Sequence, residues 1–284
     1  MGTPIFPATT PSFRARRTFQ ETDAPDQMLT RVKVAKAFSR PVMAQFEPVI
    51  RALCGPILDA ALEKGTFDAT KEIARLLPMR MLGRILDTPD EDLPWLVEKG
   101  DALIANTDPD FTQHVLDKMT TDEFRMMPFN SPAGAMLFVY GKELMRKKAE
   151  AGEVWDTMAD EVIRWASPTS HFRRTATRDF DYHGKQVKAG DTVLYWFNSG
   201  NRDENAFAEP FRVDFARNPN RRVAFGQGGP HVCLGMWLAR LEVRVLFEEL
   251  ARRIKSVEPA RAHRFLRSNF IGGIKELPVH VTRH

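Results

Sequence analysis

The 284-residue chain is 43% hydrophobic and 27% charged, enough apolar material for a sizeable core. Its net charge of +4, with no dense Lys/Arg tract interleaved with aromatics, argues against a nucleic-acid partner. No stretch approaches the ~18 consecutive apolar residues of a membrane span, no signal peptide is visible, and two cysteines are too few for a disulfide framework. A cytoplasmic protein without a membrane span is expected.

Residues 1–19 mix prolines and arginines and read as irregular. Helical patterns follow over 28–38, 43–64 and 70–86; in the third, Ile73, Leu76, Leu77, Leu82 and Ile85 recur near the 3.6-residue period. Cys54 lies in the apolar run 48–62 and is expected to be inert packing. Thr88-Pro89-Asp90 marks a turn and the start of another helix. A further helix is expected over 132–150, apolar first and basic later. Residues 180–196 alternate, with turns at His183-Gly184 and Ala189-Gly190, and read as β. The fold class is therefore mainly α with small β-sheets, without internal repeats.

The most informative segment runs Phe225-Gly226-Gln227-Gly228-Gly229-Pro230-His231-Val232-Cys233-Leu234-Gly235, just before an apolar helix over 236–250. A thiolate is a strong nucleophile and a soft metal ligand, and a helix N-terminus lowers its pKa. Gly226, Gly228 and Gly229 would let the backbone approach the sulfur and point N–H groups at it. Two alternatives stand beside this reading: a buried small cysteine, and a phosphate-holding glycine loop. The second is weakened because His231 stands where the third glycine of a dinucleotide fingerprint belongs. Upstream, Glu161-Val162-Ile163-Arg164 places a carboxylate and a guanidinium three apart on one helix face. Taken alone, that is also the pattern of an ordinary surface pair.

Together, the cysteine segment, Glu161 and Arg164, and the intervening Trp165, Pro168, Phe172, Arg174, Asn201-Arg202-Asp203 and Pro210-Phe211 resemble the haem-thiolate cytochrome P-450 family from about 160 to 281. The resemblance implies one partial P-450 domain over 1–284, with haem b held through Cys233 as the metal ligand. It places Phe225, Gly228 and Gly235 around the cofactor. It gives His231, Arg174 and Arg31 to the haem propionates, with Arg173 pointing the other way if this segment is a strand. Gln27 stands where the family has a histidine, so one propionate contact loses its charge. Glu161 and Arg164 become structural residues of the haem core. Residues 270–281 are similar to the family's last hairpin, whose tip enters the substrate pocket.

The family's central helix, with its oxygen-activating acid and alcohol, has no counterpart here, so an internal deletion is expected near 149–156 and no catalytic residue is identified. Ala189-Gly190-Asp191-Thr192 spells something similar but belongs to the β segment, and Asp156-Thr157 reads as a helix cap. The resemblance implies a monooxygenase inserting one oxygen atom of O2 into a C–H bond of a small hydrophobic substrate of terpenoid, steroid or lipid type. Electrons would come from NAD(P)H through a ferredoxin or flavodoxin-like partner, docking on Arg31, Lys33, Lys36, Arg40, Arg240 and Arg244. The alternatives are a non-catalytic haem-binding fragment and a peroxide-driven haem enzyme.

Overall fold

A computed structural model describes residues 22–86, 88, 90–94, 97, 108–110 and 155–284. The first part holds α1 (Asp26–Ala35), α2 (Arg40–Ala44), α3 (Glu47–Leu62), β1 (Thr66–Asp68), a π-helical turn at Thr70–Ala74, α4 (Leu76–Leu86) and a 3-10 turn at Asp90–Asp92. The second part begins with α5 (Trp155–Ala166), β2 (His171–Thr175), β3 (Phe180–Tyr182), β4 (Lys185–Val187), β5 (Thr192–Trp196) and α6 (Phe197–Gly200). It ends with α7 (Met236–Arg253), β6 (Ile254–Pro259), β7 (Arg264–Phe265), β8 (Ile274–Glu276) and β9 (Pro278–Arg283). The helix expected over 132–150, the irregular residues 1–19 and most of the junction at 149–156 lie outside the described residues.

In α3, Ile50, Cys54, Ile57, Leu58 and Ala61 recur every three or four residues and are buried as one stripe. Leu241 and Val245 of α7 enter the same apolar cluster, with Leu77 and Met81 of α4. An antiparallel sheet in the order β1-β9-β6 adds Phe67, Val257, Val279 and Val281. Each such side chain contributes roughly 1.5–3 kcal/mol over its exposed state.

The α3–α7 contact also carries charge. Arg51 donates to Glu249 at 2.9 Å and to Glu47 and Glu248. Arg244 joins Glu248 at 2.9 Å and Glu47. Burial acts to raise the Glu47 carboxyl, but hydrogen bonds from Arg51 and Arg244 hold it below its usual range. The buried Glu248 and Glu249 are tolerable because guanidiniums answer them.

Three sequence expectations change in detail. The helix expected over 43–64 breaks between Ala44 and Glu47, where Pro48 in the first turn suits a new helix start. The segment 70–86 opens with a π-helical turn before α4. The hairpin expected over 270–281 divides between two sheets, β8 pairing with β7 and β9 with β6 and β1. The division falls at Leu277, whose N–H donates to Asp68 at 2.9 Å while its carbonyl accepts from Ala69. Buried Asp108 pins the β7–β8 hairpin by accepting from the Arg267 N–H at 2.9 Å and from Lys275 Nζ at 3.0 Å.

Candidate functional site

Helix α5 places Glu161 and Arg164 one turn apart, both at 0% exposure. Arg164 Nε and Nη2 each donate to Glu161 at 2.7 Å. Its Nη1 donates to the carbonyls of Asn201 at 2.6 Å and Pro210 at 3.0 Å, and Nη2 to that of Arg212 at 3.3 Å. Glu161 also accepts from the Asp214 N–H at 2.9 Å and Asn220 Nδ2 at 3.0 Å, with Arg217 at 3.2 Å. The surface-pair alternative is thereby excluded. Two charges in a dry interior are costly unless their hydrogen-bonding capacity is filled, and here backbone from 201 to 214 with the side chains of Arg217 and Asn220 fills it.

Asn201 carries this frame to the cysteine loop, a role the sequence reading missed. Its Nδ2 donates to Ser167 Oγ at 2.7 Å, and its Oδ1 accepts from the Val223 N–H at 2.7 Å. Inside the loop, the Gly226 N–H donates to the Val223 carbonyl at 2.8 Å and the Cys233 N–H to the Phe225 carbonyl at 2.9 Å. Gly226, Gly228 and Gly229 have φ of +76°, +67° and +76°, a conformation L side chains rarely adopt. Their contribution is backbone hand: among the described residues, chain neighbours aside, no atom lies within 4 Å of a Cβ built at Gly228 or Gly229. A hydrogen bond from the Gly235 backbone favours the charged form of the Cys233 sulfur.

Cys233 is exposed, but the loop and helix behind it strip away much of its water. Burial pushes its thiol pKa up, while the Gly235 N–H and the Arg31 charge act in the opposite direction. Gly235 caps α7 with an ordinary φ of −81° and open space where a Cβ would stand. Neither backbone nor protein packing demands glycine there.

The charge of Arg31 reaches both the Cys233 thiol and His231. His231 is held below the usual imidazole pKa by burial first, then by the charge of Arg174, with Asp23 opposing and Arg31 adding. Arg174 lies on β2, opposite Val193 of β5, so Arg173 faces the other side of the ribbon. Arg174 Nη1 donates to the Arg173 carbonyl at 2.8 Å, and its guanidinium lies 5.8 Å from the Phe172 ring centre. Phe172 in turn meets the rings of Phe197 and Phe270 edge-on. Gln27 is fully buried and donates to the Pro230 carbonyl at 2.9 Å. It ties α1 to the cysteine loop, so its amide donor is used within the protein.

Arg240 and Arg244, expected as part of a docking surface, serve internal contacts instead. Arg240 pairs with Asp160 at 2.7 Å and stacks 5.0 Å from the Trp237 ring centre, and Arg244 belongs to the α3–α7 charge network. Both are only partly exposed. Ala189-Gly190-Asp191-Thr192 forms the turn into β5, where Asp191 accepts from the Lys188 N–H at 2.8 Å. Asp156 and Thr157 lie in the first turn of α5.

Fold and site define a mainly helical protein whose cysteine loop is tied through Asn201 to a buried ion pair, with Arg31 acting on its thiol and Arg174 on its histidine. A family model for cytochrome P450 matches residues 146–262. A methyl-branched lipid omega-hydroxylase of Mycobacterium tuberculosis is 51% identical over 127 residues, 43% of this chain but only 29% of that relative. A steroid C26-monooxygenase of Mycolicibacterium smegmatis is 30% identical over 313 aligned positions, which take in 90% of this chain and 77% of the relative. The structure of a Mycobacterium marinum cytochrome P450 in complex with pseudoionone superposes with a TM-score of 0.81 at 26% identity, covering 94% of this chain and 78% of that one. The chain belongs to the cytochrome P450 family.

The family implies a haem, and the residues present fit one. An exposed thiol touched by a backbone N–H is a suitable soft ligand. Open space above Gly235 leaves room for a flat group on the loop. Three cationic or ionisable nitrogen side chains, Arg31, Arg174 and His231, repel one another where two propionates would offset them. Among the described residues no group of three or more His, Cys, Asp and Glu could hold a metal ion. No described helix is long and apolar enough to cross a membrane.

Proposed function

We propose that the chain is a haem-thiolate monooxygenase acting on a C–H bond of a small hydrophobic substrate of terpenoid, steroid or branched-lipid type. The observation that carries this reading is Cys233, exposed on a loop fixed at the Val223 and Phe225 backbone, with the Gly235 N–H at its sulfur. Bound haem would supply oxygen activation through a thiolate-ligated iron. The chain's own part is to hold and orient that group. Arg174, His231 and Arg31 would answer the propionates, and the Gly235 N–H would draw charge from the sulfur. Phe225 presents its carbonyl to the Cys233 N–H and so sets the thiolate's direction.

The substrate class is supported by what the relatives' names describe, a methyl-branched lipid and a steroid, and by the pseudoionone bound to the structural neighbour. Electrons would come from NAD(P)H through a ferredoxin or flavodoxin-like protein. With Arg240 and Arg244 engaged internally and Arg31 given to a propionate, Lys33, Lys36 and Arg40 are the basic residues of the expected surface left for that docking. Phe172 and Tyr195, exposed on the face of the β2–β5 ribbon that carries Arg174, are apolar groups that would lie beside the cofactor.

A second reading, a haem-binding fragment or a peroxide-driven enzyme, has its own support. The 313 positions aligned with the steroid monooxygenase take in 90% of 284 residues, about 256, so more than fifty are filled by the relative alone. That excess agrees with an internal deletion near 149–156, which would remove the family's oxygen-activating helix. The deciding experiment is the reduced, carbon-monoxide-bound difference spectrum of the haem-supplied chain. A red-shifted Soret band, lost in Cys233→Ala, is expected. Absence of that band sinks the monooxygenase reading. Where it is present, turnover with NADH and ferredoxin separates the monooxygenase from a chain that turns over with peroxide alone or not at all.

A further inference from the structure

The carboxylate next to Glu161 faces elsewhere. Asp160 Oδ1 lies 2.8 Å from Arg222 Nη2 and 2.7 Å from Arg240 Nε, and Asp160 Oδ2 accepts from Arg240 Nη2 at 2.9 Å. Only the last contact has hydrogen-bonding alignment; the other two are close ion pairs. The three side chains are 16%, 11% and 21% exposed, so solvent screens them weakly. Two guanidiniums share one carboxylate, and among the described residues no other acid pairs with either.

The two arginines lead to the two sides of the cysteine. Arg222 stands 5.4 Å from the centre of the Phe225 ring, and the Phe225 carbonyl accepts from the Cys233 N–H. Arg240 stands 5.0 Å from the Trp237 ring in the first turn of α7, and Arg40 of α2 lies over the same ring at 5.3 Å. One carboxylate on α5 therefore joins the strand of chain entering the loop to the helix leaving it. The Glu161–Arg164 pair reaches only the entry side, through Asn201 to the Val223 N–H; none of its partners among the described residues lies on α7.

We propose that Asp160 is a positioning residue for Cys233, holding Arg222 against Phe225 and Arg240 against Trp237 so that the thiolate keeps one direction and one set of neighbours. The proposal rests on the haem-thiolate reading for its consequence, but its geometry can be tested without haem. Removing the charge leaves Arg222 and Arg240 close together and unanswered, and their repulsion pushes Phe225 and Trp237 apart.

The first measurement is hydrogen exchange of the full haem-free chain. In Asp160→Asn, amides from 223 to 235 should exchange about tenfold faster or more, with those of the β1-β9-β6 sheet unchanged. Asp160→Glu should restore most of the protection. If Asp160→Asn does not fold, Arg222→Gln makes the same test from the other partner. Unchanged exchange over 223–235, or equal acceleration in the sheet, overturns the proposal. In the haem-loaded chain, Asp160→Asn should move a large share of the carbon-monoxide complex from the red-shifted to the blue-shifted Soret band, with Asp160→Glu in between. Wild-type band proportions in Asp160→Asn also overturn it. A wild-type chain with no thiolate band defeats the function proposed above, while the exchange result still decides the role of Asp160.

Discussion

Two charged regions of this molecule treat charge in opposite ways. Around Glu161 and Arg164, every guanidinium nitrogen and both carboxylate oxygens meet a protein partner, and no part of either side chain touches solvent. Near Cys233, the charges of Arg31 and Arg174 have the same sign and both disfavour a charge on His231, with Asp23 acting in the opposite direction. The first arrangement completes itself within the chain and serves the frame. The second is complementary to an anion brought from outside, which is what a cofactor bearing carboxylates provides.

The largest expected effect breaks the self-completed region. Arg164→Ala leaves Glu161 buried with its main partner gone and frees the backbone from 201 to 212, for a loss of about 3–5 kcal/mol. Urea unfolding should show this as a fall in midpoint, and removal of both charges together should cost less than the sum. A loss under 1 kcal/mol would mean that the backbone from 201 to 212 is held by something other than this pair.

Glu242 sharpens the comparison from the acid side. It lies on α7, and burial alone lifts its carboxyl to about 7; no cation acts on it among the described residues. A carboxyl with a raised folded pKa binds more protons folded than unfolded between about 4.5 and 7, so stability should fall as pH rises through that window. The loss should reach no more than about 3 kcal/mol by pH 8. Glu242→Gln should remove this slope, gaining stability at pH 8 and little at pH 5. Thermal melts at the two pH values, showing the same gain at both, would contradict it.

The two cysteines extend the contrast to uncharged packing. Cys54 sits in the α3 stripe with its thiol pushed up to about 12, mainly by burial, while Cys233 stands at the surface of its loop. Cys54→Ser should cost about 1–3 kcal/mol because the buried hydroxyl lacks a partner. Cys233→Ser should change the haem-free chain by less than about 0.5 kcal/mol. A thiol reagent should label Cys233 in the native chain and Cys54 only on unfolding.

What the sequence made legible follows from the range of the interactions. The cysteine loop, the Glu161–Arg164 spacing and the alternating residues of β3 to β5 are local patterns, and helix period or strand alternation exposes them. The uses of Asp160, Asn201, Arg240 and Arg244 depend on partners tens or hundreds of residues away. A basic residue on a helix reads the same whether it meets solvent or a buried glutamate, so Arg240 and Arg244 looked like a docking face. The available signal was the crowding of Arg217, Arg221 and Arg222 just before the loop, which requires acids to answer it.

The smallest effect probes the cation cluster itself. His231 is disfavoured in its charged form by burial and then by Arg174, so its folded pKa lies below 6.5. A histidine with a lowered folded pKa binds fewer protons folded than unfolded, and its contribution to stability is lost as pH falls from 6.5 through the folded value. Replacing Arg174 with Gln removes one repelling charge and should raise the His231 pKa, shifting the window upward and narrowing it. Because burial is the larger cause, the pKa should stay below that of a free imidazole. Titration of the His231 ring signals in the haem-free chain measures this directly. No change in Arg174→Gln would separate the two side chains and remove the case that they converge on one anionic group.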